Sequence, residues 1–184
     1  TYPNLTAIDI PNLIFAIQND QSIKPHIRQI YDEKMAVTGG YLHKIYGTYY
    51  LVGGQKFIGR YNPMGPNNGP GFIQEYTNAI RKFTIHDDGI TIKIKHLPEI
   101  YDRTNLHRRD YNVAAQIMPD GQEGMTAFSG VFQETVDLPF LTCVNIDSSG
   151  HEIQQGFNQY YNHYHCAHIP LYSAENNDMH TLFF

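Results

Sequence analysis

Apolar and polar residues alternate along most of this chain, and the runs are broken by turn-forming residues every five to ten positions. Residues 4–10, Asn-Leu-Thr-Ala-Ile-Asp-Ile, alternate and predict a strand. Pro11 opens a short helical segment, with proline at its first position, that Asn19-Asp20 ends. Ile23 to Ile30 reads as a further strand. Tyr41–Tyr46, the tight turn Gly47-Thr48 and Tyr49–Val52 form a hairpin with aromatic residues on both arms. Gly53-Gly54 closes it, where the backbone needs positive φ or close approach to another segment. A long loop rich in Gly, Pro and Asn is expected from Gln55 to Tyr76. Thr77–Ile85, the turn His86–Gly89 and Ile90–Lys95 then predict two more strands.

The same order returns. Asn112–Ile117, the turn Pro119–Gly124, Met125–Phe132, Phe140–Ile146, the turn Asp147–Gly150 and His151–Gln155 read as a second unit. Tyr164–Ile169, a loop from Pro170 to Asp178 and a strand from Met179 begin a third. Tyr111-Asn-Val-Ala114 is echoed 53 residues later by Tyr164-His-Cys-Ala167, and Met125 by Met179 after 54. Repeats of about 50 residues in a strand-rich chain point to the blades of a β-propeller. The expectation is an all-β chain: a partial blade at 1–34, complete four-stranded antiparallel blades at 35–98 and 107–157, and a partial blade at 161–184. A closed propeller has about four to eight blades, so 184 residues are expected to be a segment of a larger ring, with the remaining blades of a parent chain as its nearest partners.

Composition narrows the choice. Apolar residues at 41% and aromatics at 13% are ample for a buried core and rule out a disordered chain. A net charge of −5 gives no basic surface for nucleic acid or an anionic membrane. No apolar run approaches the roughly 18 residues of a membrane-spanning helix. Cys143 and Cys166 fall on predicted strands of different units, which leaves both free buried thiols and a disulfide open.

The segment Tyr50-Leu-Val-Gly-Gly54, in its strand–hairpin–strand setting, resembles the kelch-repeat propeller. Ser129-Gly130 departs from the double glycine, and the usual kelch Trp is absent, with Phe83 in a position to replace it in the first unit. A broader resemblance runs through Thr1–Asp9, Tyr50–Phe57, Leu106–Tyr111, Thr126–Phe132 and Met179–Phe184. These stretches are similar to large secreted proteins of Bacteroidetes that carry a kelch-like propeller and a C-terminal sorting domain for type IX secretion. The resemblance implies an extracellular or cell-surface location. It implies no particular chemistry.

Candidate chemistry falls in three places. His163-Tyr-His-Cys-Ala-His168 would place His163 and His165 on one face of a strand, where two imidazoles can hold a divalent ion such as zinc or copper if His107 or His180 adds a ligand. Otherwise no cofactor is predicted. His107, Arg108, Arg109 and Asp110 precede an innermost strand. There the two guanidinium forks can take a carboxylate or sulfate, stack on an aromatic ring, or tie two blades together. Tyr61 and the Gly/Pro loop 59–71 suit a binding surface, because tyrosine offers wide contact area at low entropic cost. These features lead to a non-catalytic binding module whose ligand is a glycan or a protein. The alternative is part of a propeller enzyme, a metal-dependent oxidase or a polysaccharide-degrading enzyme, with its site at the ring axis. Asp102, Asp110, Asp137 and Asp147 are candidate acids for the latter, and no pair among them is singled out.

Overall fold

The computed structural model describes residues 1–62, 65, 67, 69 and 71–184. Among these residues the chain is all-β, with antiparallel sheets and two short helices. The first sheet runs in chain order through β3 (Tyr41–Ile45), β4 (Thr48–Val52), β7 (Ala79–Asp87) and β8 (Ile92–His96), with β9 (Ile100–Tyr101) continuing along β7. The second runs through β10 (Arg109–Ile117), β11 (Glu123–Val131), β12 (Val144–Ile146) and β13 (His151–Ile153). Hairpins flank this pair of sheets. β1 (Asn4–Ile8) pairs with β2 (Ile27–Tyr31) at one side, and β14 (His168–Ser173) pairs with β15 (Asp178–Phe183) at the other.

A hydrophobic core joins the two sheets. Tyr50, Val52 and Ile80 of the first pack with Tyr111, Val113 and Val144 of the second. Within the first sheet the Tyr49 and Phe83 rings stack at 5.5 Å, a cross-strand aromatic pair that helps fix the register. The first strands of successive units are neighbours: β10 touches both β3 and β14. His43 and Lys44 of β3, Ala115 to Ile117 of β10, and Pro170 and Tyr172 of β14 line a shared hollow of about 390 Å³. At the other edge β2 lies along β8, and Arg28 of β2 meets Asp87 at 2.7 Å.

Helix α1 (Ile10–Gln18) forms with Pro11 in its first turn, and its N-cap Asp9 accepts from the Asn12 amide. Four local differences from the sequence expectation have clear causes. The stretch from Gln55 to Tyr76 is not all loop. β5 (Gln55–Gly59) and β6 (Phe72–Tyr76) pair, and the Phe57 and Phe72 rings stack at 5.1 Å. Of the Gly/Pro loop expected at 59–71, residues 63, 64, 66, 68 and 70 lie outside the described residues. Residues 163–167 are irregular, and the third unit's first strand starts only at His168. The Asn112 side chain takes the place of a strand neighbour there, donating to the carbonyls of His163 and Tyr164 and accepting from the Cys166 amide. The expected loop 170–178 is instead the hairpin of β14 and β15 around a short turn. The strand expected from Phe140 is confined to Val144–Ile146, because the preceding residues wrap around a buried arginine. Both cysteines are free: Cys143 is buried and Cys166 partly so. Burial raises the Cys143 thiol to about 11, which keeps it protonated and unreactive.

Candidate functional site

The most chemically loaded surface is the rim where β10 begins. Helix α2 (Arg103–Leu106) leads into it. Its N-cap Asp102 accepts from the Asn105 amide nitrogen and side chain and meets His151 Nε2 at 2.8 Å. Burial raises the Asp102 carboxyl, but hydrogen bonds from Asn105 and His151 outweigh it and hold the pKa below the ordinary value. This contact ties the rim to the far edge of the second sheet.

Two adjacent arginines then take opposite roles. Arg108 is 1% exposed. Its guanidinium donates to the carbonyls of Asn105 (2.6 Å), Ser129 (2.6 Å) and Thr142 (2.8 Å) and to the Thr142 hydroxyl (3.0 Å). Its charge lies 4.0 Å from the centre of the Phe140 ring. Burial lowers its pKa to about 10, so it is a cation at neutral pH. Arg108 is thus spent inside the second sheet and offers no fork to an outside ligand. Arg109 faces outward with its side chain 32% exposed. It covers the Phe132 ring at 4.1 Å and reaches Gln74 Oε1 and Asp110 Oδ2, each at 3.3 Å.

Asp110 is the pivot. It stands at φ 54° and drops out of the ladder between the pairs Arg109–Val131 and Tyr111–Ser129. Its second oxygen lies 3.4 Å from His165 Nε2, and His165 Nδ1 lies 3.3 Å from the Tyr41 hydroxyl. Asn78 (φ 51°), Ser129 (φ 61°) and Phe132 (φ 64°) also hold left-handed conformations around this rim. Strained non-glycine backbone of this kind gathers where a structure holds side chains for work. On the flank, the His107 ring stacks on Tyr76 at 3.9 Å and its Nδ1 lies 2.8 Å from Asn78 Oδ1. The amide oxygen can only accept, which puts the proton on Nδ1. Burial lowers the His107 pKa and raises that of Tyr76, so both rings are neutral at pH 7.

The structure therefore brings His107, Arg109, Asp110 and His165 to one rim and sends the other candidates elsewhere. His163 stacks on Phe183 at 4.9 Å, in a different neighbourhood from His165. The two imidazoles do not share a strand face, since the chain there is not a strand. Among the described residues no three His, Cys, Asp or Glu side chains converge as a ligand set. Tyr61 is 66% exposed at the outer end of the β5–β6 hairpin, beside Phe72. Sequence reasoning missed Gln74, Tyr76, Asn78 and Phe132. The first two were hidden in an expected loop, and nothing local marks the others.

The rim offers a guanidinium and a carboxylate side by side, each about one-third exposed, between an aryl face and a stacked Tyr–His pair. Neither protein-family models, curated proteins nor solved structures give a match to this chain.

Proposed function

We propose that the chain is part of a kelch-type β-propeller that serves as a non-catalytic binding module of a secreted or cell-surface bacterial protein, and that its rim around Arg109 and Asp110 holds a glycan. The observation that carries this is the charge-balanced Arg109–Asp110 pair set beside aromatic faces. A sugar hydroxyl both donates and accepts, so it matches a fork of donors next to a carboxylate, while the apolar face of a sugar ring suits an aromatic ring. The propeller part rests on the two antiparallel sheets, of five and four strands, whose first strands adjoin. The secreted location rests on the sequence resemblance alone.

A glycan array probed with the 184-residue chain tests the reading. Retention of a glycan that falls at least tenfold in Arg109→Ala and Asp110→Asn, with melting temperature unchanged, supports it. Retention indifferent to both substitutions, or capture of proteins only, ends it. A second reading, a polysaccharide-degrading enzyme at the same rim, is favoured by the Asp110–His165–Tyr41 chain of contacts, which could pass a proton. New reducing ends or unsaturated sugar products from the retained glycan would select it.

A further inference from the structure

Residues 154–167 form neither helix nor strand. Irregular stretches of this length inside a compact fold are uncommon and usually carry a function. The first ten of these residues are nonetheless fixed to the second sheet. The Gln154 amide donates to the Cys143 carbonyl at 3.0 Å and the Gln159 amide to the Leu141 carbonyl at 2.7 Å. The Ser129 amide donates to the buried Gln159 side chain at 2.8 Å, the Gly130 amide to Asn162 Oδ1 at 3.2 Å, and the His163 amide to the Ser129 hydroxyl at 3.1 Å. Between these anchors three large rings stand in solvent: Phe157 is 42% exposed, Tyr160 75% and Tyr161 81%. Exposed rings on a pinned backbone make a contact surface that loses little freedom when a ligand arrives.

The three rings share a cleft of about 560 Å³ with Phe128, His163 and Phe183. That is within the usual range for a small-molecule site, about 300–1,000 Å³. The latter three are packed together, His163 stacked on Phe183 at 4.9 Å and Phe128 edge-on to it at 5.2 Å. Side-chain amides supply the polar part of the wall. Thr126 Oγ1 donates to Asn145 Oδ1 and Gln116 Nε2 to Thr181 Oγ1, each at 2.8 Å. These bonds orient both amides and leave the Asn145 donors and the Gln116 oxygen without a protein partner among the described residues. Gln154 and Asn158 also line the cleft, and both are exposed. No Asp, Glu, Lys or Arg lines it among the described residues, in a chain where 17% of residues carry charge.

We propose that this cleft is a binding site for an uncharged oligosaccharide. It stands apart from the rim reading, since neither Arg109 nor Asp110 lines it. An amide side chain donates and accepts from adjacent atoms, as a row of sugar hydroxyls does. The apolar face of a sugar ring lies well against a tyrosine or phenylalanine ring. A uronate or sialylated glycan would have to desolvate a carboxylate with no cation there to meet it. An extended peptide seeks backbone donors and acceptors along a strand edge. The wall at 154–163 offers none at Gln154, Gln159 and His163, whose amides are already bonded to the second sheet.

Isothermal titration of the 184-residue chain with the uncharged tetrasaccharides of glucose, xylose, mannose and galactose, and with tetragalacturonate as the charged control, tests this. At least one uncharged tetrasaccharide should bind, with an affinity unchanged up to about 0.5 M salt. Its affinity should fall about tenfold in Tyr161→Ala and in Asn158→Ala and persist in Arg109→Ala. Both substituted positions are exposed, so an unchanged melting temperature is expected and excludes misfolding as the cause. Failure of all four sugars to bind, binding indifferent to Tyr161→Ala and Asn158→Ala, or tetragalacturonate bound equally well by the Arg109→Ala chain would each overturn the proposal. Sugar binding lost in Arg109→Ala but not in Tyr161→Ala removes only this site, whereas the reverse pattern removes only the rim reading.

Discussion

The Tyr111 hydroxyl donates to the carbonyl oxygen of Val52 across 2.6 Å, joining the first strand of the second sheet to the last residue of β4. Both residues are about 1% exposed, so no water stands ready to replace the bond. Burial holds the phenol far above its ordinary pKa, which keeps it a donor at all accessible pH values. This contact also explains the first of the two glycines. A Cβ on Gly53 would lie 2.5 Å from that hydroxyl, and Gly53 has φ 56°.

Tyr111→Phe should therefore cost about 1 kcal/mol by removing a hydrogen bond that water cannot replace. Gly53→Ala should cost at least as much through clash and strain together. Because the clash is with the hydroxyl itself, the double variant should lose less than the sum of the two. Urea unfolding of the four proteins checks this, and strict additivity would contradict it.

Arg108 predicts a second stability defect. Replacing it with alanine strips three carbonyls, one of them fully buried, of a charged donor at once and should cost on the order of 3 kcal/mol. Lysine should rescue little, since a single ammonium cannot span the same fan of acceptors. Limited proteolysis should then cut within residues 132–143, the segment that wraps the guanidinium.

His107 and Asp102 both make the fold less stable in acid, in separate windows. Each has a folded pKa below its unfolded value, so the unfolded chain binds more protons and stability rises with pH. The His107 contribution is complete above its unfolded value of about 6.5 and is lost as pH falls through the lower folded value. The Asp102 contribution is complete above about 3.9 and is lost below that. Urea midpoints measured downward from pH 7 should show the first decline in the wild type and not in His107→Gln, and the second decline should be shallower in Asp102→Asn, the remainder coming from Asp87, Asp88 and Asp147, whose carboxyls are lowered as well.

Asp110→Gly should separate function from stability. Asp110 holds a left-handed conformation that costs an ordinary residue roughly 1–2 kcal/mol and glycine very little. Its partly exposed ion pairs return little of that. The variant should melt no lower than the wild type while losing the glycan. A lower melting temperature would show that Asp110 is held for structure.

Period-two alternation and the turns at Gly47, Gly89 and Gly150 made the antiparallel hairpins of both sheets legible, because a one-residue slip would turn every apolar side chain outward. The roles of Arg108 and Arg109 were not. A strand sends neighbours to opposite faces, but the sequence does not say which arginine turns inward. What decides it is Phe140 and Thr142, more than 30 residues away. The histidine pair failed as a face for a related reason. The strand that would have aligned His163 and His165 is replaced by backbone bonds to the side chain of Asn112, a substitution of one long-range polar group for a whole ladder.

The partners of Arg108 are carbonyl oxygens, one hydroxyl and a ring face, none of which titrates in acid or draws a shell of counterions. Brine and vinegar alike leave such an anchor untouched. The segment it pins will hold its shape in media harsh enough to dissolve the carboxylate links elsewhere on the molecule.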